Sequence, residues 1–200
     1  MNAQEFWESF KEKVELEKEQ LKAVWDESAS FTEKITALIS RVIKDAKPSN
    51  QFIVQPEYYN IDLTEWEQKK EKNDEKLLEK EEDEYSLKKY AWNFDIAVEH
   101  ENDKNLWMDE VIKLAHIFCD LRVVIGYFPY KKEGKKEMQQ KYLNAVSDTI
   151  QTLKCCENMK HGEFMVILGD VGGKKADGFE KLVYTPYKYN RKDEVFELLK

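Results

Sequence analysis

Ala91-Trp92-Asn93-Phe94-Asp95-Ile96-Ala97-Val98-Glu99-His100-Glu101-Asn102 alternates apolar and acidic side chains. Ile96 and Val98 interleave with Asp95, Ala97, Glu99 and Glu101, and a period of two predicts a strand. Side chains two apart point the same way, so Glu99 and Glu101 share one face, with Asp95 further along it. His100 points to the opposite face, where a packed, hydrogen-bonded core histidine is expected. Two carboxylates that close repel by roughly 4 kcal/mol at an effective dielectric near 20. Open solvent, a basic partner or a divalent cation would offset that.

Downstream, Leu106, Val111, Leu114, Ala115 and Phe118 predict a helix of about four turns over Asn105 to Cys119. The run Leu121 to Phe128, ended by Pro129, is apolar almost throughout and predicts a strand covered on both faces. A strand, a helix and a buried strand in succession imply a parallel crossover. Upstream, residues 51–55 and Tyr58 to Trp66 predict two further strands, the second carrying Asp62 among apolar neighbours. Residues 67–89 are dominated by Glu, Asp and Lys and predict a solvated, charged excursion between neighbouring strands.

At the N-terminus, Phe6, Phe10, Val14, Leu21 and Trp25 predict one amphipathic helix over residues 4–26. Ser30-Phe31-Thr32-Glu33 reads as a capping box opening a second helix, which Pro48 ends at the latest. Toward the C-terminus the pattern predicts a helix from Tyr142 to Leu153, a buried strand from Glu163 to Gly169, a strand from Phe179 to Tyr187 and a short helix from Arg191. The expected fold class is α/β: one domain over residues 1–200, with a mixed central sheet flanked by helices and fronted by N-terminal helices.

A net charge of −8 argues against a broadly nucleic-acid-binding surface, although a local patch is what counts. Lys131, Lys132, Lys135 and Lys136, with the lysines of the loop Gly169 to Lys175, suit either contact with a nucleic-acid backbone or a plain solvated surface. That loop lacks the GxxxxGK[ST] phosphate motif. The sequence shows neither a bilayer-spanning apolar run nor a signal-peptide pattern, so no membrane association is expected. Cys119, Cys155 and Cys156 make a poor disulfide framework and point to a reduced, cytoplasmic setting. No histidine cluster has zinc-ligand spacing.

The order helix, strand with an Asp, strand with Glu-x-Glu, helix, buried strand resembles the restriction-endonuclease-like nucleases, the PD-(D/E)xK superfamily. Asp62 in Tyr59-Asn60-Ile61-Asp62-Leu63 matches the first acid of their motif, and Glu99 in Val98-Glu99-His100-Glu101 matches the second. The resemblance covers about Tyr58 to Phe128. It implies a restriction-endonuclease-like sheet and hydrolysis of phosphodiester bonds, with DNA as the expected substrate and Mg²⁺ or Mn²⁺ as cofactor. It also implies a homodimer, since many nucleases of this fold pair to cut two strands. On this reading Asp62 and Glu99 are the primary metal ligands, Glu101 is a further ligand or orients the attacking water, and Lys113 stabilises charge.

Glu101 stands where the superfamily usually has Lys, as in a minority of restriction enzymes. Relocated lysines are known in the superfamily, and Lys113 on the following helix supplies the missing charge if its side chain turns back toward the strand. The gap between Asp62 and Glu99 is longer than the compact pattern, and the charged excursion fills it. The exchange of Lys for Glu, with the acidic net charge, favours an alternative: a catalytically inactive protein of the same fold acting as a binding or interaction module.

Overall fold

Among the described residues, the alternation that predicts strands resolves into seven of them, joined in one sheet in chain order: β1 (Phe52–Tyr58), β2 (Ile61–Gln68), β3 (Trp92–Glu101), β4 (Leu121–Pro129), β5 (Glu163–Val171), β6 (Tyr184–Asn190) and β7 (Val195–Leu198). The structure is a computed structural model that describes residues 1–46, 52–58, 60–68, 92–103, 106–129, 135–171 and 182–199. The pairs β3–β4 and β4–β5 are parallel, and the other neighbours are antiparallel. Parallel neighbours need long crossovers. The first is made by α4 (Trp107–Ala115). The second is made by α5 (Lys135–Thr152) and a short 3-10 helix (Lys154–Lys160). Three helices precede the sheet: α1 (Ala3–Leu16), α2 (Lys18–Ala23) and α3 (Ser28–Ala46).

Helices cover both faces. Phe6, Phe10, Phe31, Ile35 and Ile39 from the N-terminal helices pack with Ile96, Val98, Val123, Ile125 and Ile167 on one side. Trp107, Val111, Leu114, Leu143 and Ile150 pack with Ala97, Val124, Val166 and Leu168 on the other. Residues 121–128 of β4 are buried throughout, which is why that run is apolar apart from Arg122, whose Nη2 donates to the Asn158 carbonyl at 3.1 Å. The molecule is therefore a mixed α/β structure, and the predicted crossover from β3 to β4 is present. Among the described residues no helix is long and apolar enough to cross a membrane.

Several local expectations are corrected. The N-terminal helix is not continuous: α1 ends at Leu16, whose side chain is exposed, and α2 starts afresh so that Leu21 enters the core. Glu17 at the break is held by Arg41 of α3, at 2.6 Å from Oε1 to Nη2. The capping box lies at Asn2 and Glu5, with reciprocal 2.9 Å bonds. Ser30 is inside α3, bonded to Glu27 Oε2 at 3.1 Å.

The helix predicted over Asn105 to Cys119 is confined to the nine residues of α4. Asn158 Nδ2 donates to the carbonyls of Ala115 and His116 at 3.3 Å and closes its end, leaving Phe118 exposed. The C-terminal tail is a strand rather than a helix. Asn190 Oδ1 accepts the Lys192 amide at 2.9 Å, an Asx turn that returns the chain so that Phe196 is fully buried against Phe164 and Tyr189.

The strand predicted from Phe179 to Tyr187 is β6, Tyr184–Asn190, and Leu182 and Val183 lie ahead of it outside the strand. Glu67 and Gln68, predicted as the start of the charged excursion, belong to β2; its residues 69–89, Lys131, Lys132 and residues 172–181 lie outside the described residues. The excursion does connect antiparallel neighbours, β2 and β3.

Candidate functional site

Leu63 of β2 pairs with Val98 of β3, and continuing that antiparallel register by one residue sets Asp62 against Glu99. Ala97 faces α4, so Glu99, two residues on, faces it too. Asp62 Oδ2 accepts the main-chain N–H of His100 at 2.7 Å. Across from them, Lys113 Nζ of α4 lies 2.8 Å from Glu99 Oε1. The same ammonium pairs with Glu110, one turn back on α4, and donates to the main-chain carbonyl of Asn60 at 2.9 Å. Lys113 thus ties together a strand, a helix and the turn between β1 and β2.

The scaffold explains this convergence. Tyr58 pairs with Ile61 where β1 gives way to β2, and Asn60 adopts φ 58°, a left-handed conformation that Asn tolerates well. Helix α4 can lie close over the sheet because β4 has Gly126 beneath Trp107. A Cβ there would sit 2.4 Å from Trp107 Cβ. Trp107 is buried, and it anchors the helix that carries Glu110 and Lys113.

Burial dominates the electrostatics. The Glu99 carboxyl, 2% exposed, is pushed up to about 8 by loss of solvent. Contact with Lys113 opposes that shift, while the charges of Asp62 and Glu110 add to it. Asp62 is also raised by burial, with the His100 amide pulling the other way and Glu57 and Glu110 pushing with it. Burial lowers Lys113, but its bonds to Glu110 and Glu99 outweigh that and hold it above its ordinary value.

His100 turns its ring to the other layer. It is buried, and Nε2 lies 2.9 Å from the Tyr127 hydroxyl, which is 3.0 Å from that of Tyr184. Burial pulls its imidazole down to about 3, so it is neutral.

The structure therefore brings together Asp62, Glu99 and Lys113 among the sequence-predicted residues. It does not add Glu101, whose Oε1 accepts the Asp103 amide at 2.6 Å. Asp95 is four residues back along β3, about 13 Å away at 3.3 Å per residue. Glu110 and the Asn60 carbonyl are members that sequence reasoning missed. The spacing of Glu110 and Lys113 on one helix was the available signal for the first. A main-chain carbonyl leaves none.

Among the described residues no group of three or more His, Cys, Asp or Glu side chains is arranged to hold a metal ion. Asp62 and Glu99 offer two hard carboxylates. That suits Mg²⁺, which is commonly held by one or two carboxylates and completes its shell with water and phosphate oxygens. In comparisons with known proteins, no family model, curated protein or solved structure matches this chain.

Proposed function

We propose that the protein is a Mg²⁺-dependent nuclease that hydrolyses phosphodiester bonds, with DNA as substrate. The observation that carries this reading is the meeting of Asp62 and Glu99 on adjacent strands with the Lys113 ammonium 2.8 Å from Glu99. The order of elements supports it as a fold-level analogy: a helix, three antiparallel strands, a crossover helix and a parallel strand. Asp62 and Glu99 would hold the ion, and Mg²⁺ bound there polarises a phosphate and lowers the pKa of a bound water. The His100 amide fixes Asp62, and Lys113 supplies positive charge beside the phosphate. Glu101 is given no role while its carboxylate serves the Asp103 amide.

The test is cleavage of single- and double-stranded DNA and RNA in Mg²⁺ or Mn²⁺. DNA should be cut, and Glu99→Ala should lower the rate by about 100-fold or more, the scale on which electrostatic stabilisers act. Absence of cleavage on every substrate, with no thermal shift on adding Mn²⁺, overturns the proposal.

One observation favours a second reading, an inactive interaction module. Lys113 is already engaged by Glu99, Glu110 and the Asn60 carbonyl, and its ammonium fills the position beside Glu99. On that reading neither Mn²⁺ binding nor cleavage occurs, and Glu99→Gln leaves partner binding intact.

A further inference from the structure

Lys113 Nζ is coordinated by oxygens from three elements: Glu99 on β3, Glu110 on α4 and the Asn60 carbonyl at the β1–β2 turn. Their exposures differ. The side chain of Glu99 is 3% exposed and that of Lys113 is 36% exposed. The ammonium is thus the more exposed partner of a nearly buried carboxyl. Lysine is a compact point charge on a flexible four-carbon stem, so its head can shift without moving the helix. An ammonium and a divalent ion on the same carboxylate repel each other.

We propose that the Lys113 ammonium occupies the position beside Glu99 until a divalent ion displaces it, with Glu110 and the Asn60 carbonyl as the seat to which it withdraws. This rests on the reading of Asp62 and Glu99 as the metal pair. It gives Lys113 two positions. In the resting position its ammonium lies 2.8 Å from Glu99 Oε1. In the withdrawn position it keeps two of its three acceptors and stands beside the bound ion, where a phosphate would arrive. A lysine that merely orients Glu99 makes the opposite prediction, because removing it would weaken the metal site.

The experiment is calorimetric titration of the full chain with MnCl₂ at one pH and ionic strength, for the wild type, Lys113→Met, Lys113→Arg and Glu99→Gln. Crystals soaked in Mn²⁺ supply a second readout. Lys113→Met should bind Mn²⁺ about tenfold more tightly than the wild type, while Lys113→Arg, which keeps the charge, should not bind more tightly. Lys113→Gln stands in if the Met variant does not fold. In Mn²⁺-soaked crystals the Lys113–Glu99 separation should exceed about 4 Å, beyond ion-pair range, with the Glu110 contact retained.

Wild-type binding with equal or weaker binding by Lys113→Met overturns the inference and leaves the metal reading standing. Tight binding by Lys113→Met alone supports the inference in its strongest form. No binding by the wild type or Lys113→Met removes the metal reading and the inference with it. Binding that survives Glu99→Gln places the ion elsewhere and overturns both.

Discussion

Asp62 is held by the main chain of His100: its Oδ2 lies 2.7 Å from that amide nitrogen. The bond depends on an acceptor at position 62 rather than on a charge. Asp62→Asn should therefore be within about 0.5 kcal/mol of wild type, since it keeps an acceptor and removes a charge that opposes Glu99. Asp62→Ala leaves a part-buried N–H without its partner and should cost about 1–3 kcal/mol. Urea denaturation of both variants decides this. Equal stability of the two would show that the bond contributes nothing.

The raised Glu99 carboxyl makes stability depend on pH with a definite sign. Its folded-state value of about 8 lies above the ordinary 4.5, so in that window the native state binds a proton that the unfolded state has released. Its contribution is fully present below about pH 4.5 and is lost as pH rises toward about 8. Asp62 acts in the same direction and Glu163, whose carboxyl is held low, in the opposite one, so the difference between wild type and Glu99→Gln isolates the effect. Melting curves at pH 5.5 and 8.5 should show the wild type losing more stability than Glu99→Gln over that interval. A parallel loss in both proteins would mean that Glu99 ionises normally. On the metal reading, binding of the ion expels that proton, so Mn²⁺ affinity should rise over the same range.

Glu101 and Glu99 are two residues apart but differ in surroundings. Glu101 caps the Asp103 amide at the end of β3, and Glu99 meets Lys113. Glu101→Ala should lower cleavage by less than about tenfold and cost up to about 1 kcal/mol of stability. Measuring kcat/KM for the two alanine variants separates them. Inactivation by Glu101→Ala to the level of Glu99→Ala would return Glu101 to the metal.

Gly126 permits the close approach of α4 to the sheet. Gly126→Ala puts a methyl 2.4 Å from Trp107 Cβ and should cost about 1–3 kcal/mol through overpacking. It should also loosen the Lys113–Glu99 contact, because the helix must lift. Chemical denaturation reads the first effect, and the second would appear as a fall in the Glu99 contribution to pH dependence. A variant as stable as wild type would mean that Trp107 yields easily.

Much of the fold was legible because burial writes a period into the chain. Both faces of β4 are covered, which leaves its run apolar apart from Arg122, whereas β3, buried over residues 95–100, alternates because Asp95 and Glu99 stand on the face toward α4. Asp62 stood out between Ile61 and Leu63, and Glu99 beside Val98. The direction of Lys113 did not, because a helical lysine reads the same in sequence whether it turns to solvent or to a sheet. Glu110 was hidden as an ordinary surface pair of Lys113.

Two local signals were present and overlooked. Asn2-Ala-Gln-Glu5 has the capping-box spacing, and Asn190-Arg-Lys-Asp193 has turn chemistry that rules against a helix directly after β6. The break at Glu17 depends on Arg41, a contact made only once α1 and α3 have packed.

Glu99 and His100 are consecutive on one strand, yet they belong to opposite layers. The His100 ring is gripped through Tyr127 and Tyr184, and Tyr184 meets Phe10 of α1 edge-on at 5.2 Å. Asn102, just past the strand end, donates to the Ser28 carbonyl at 3.3 Å. The first forty-six residues therefore act as a clamp on the backbone that presents the acids. Trimming them would take away the layer that grips His100 and Asn102, and so loosen the strand on which Glu99 sits.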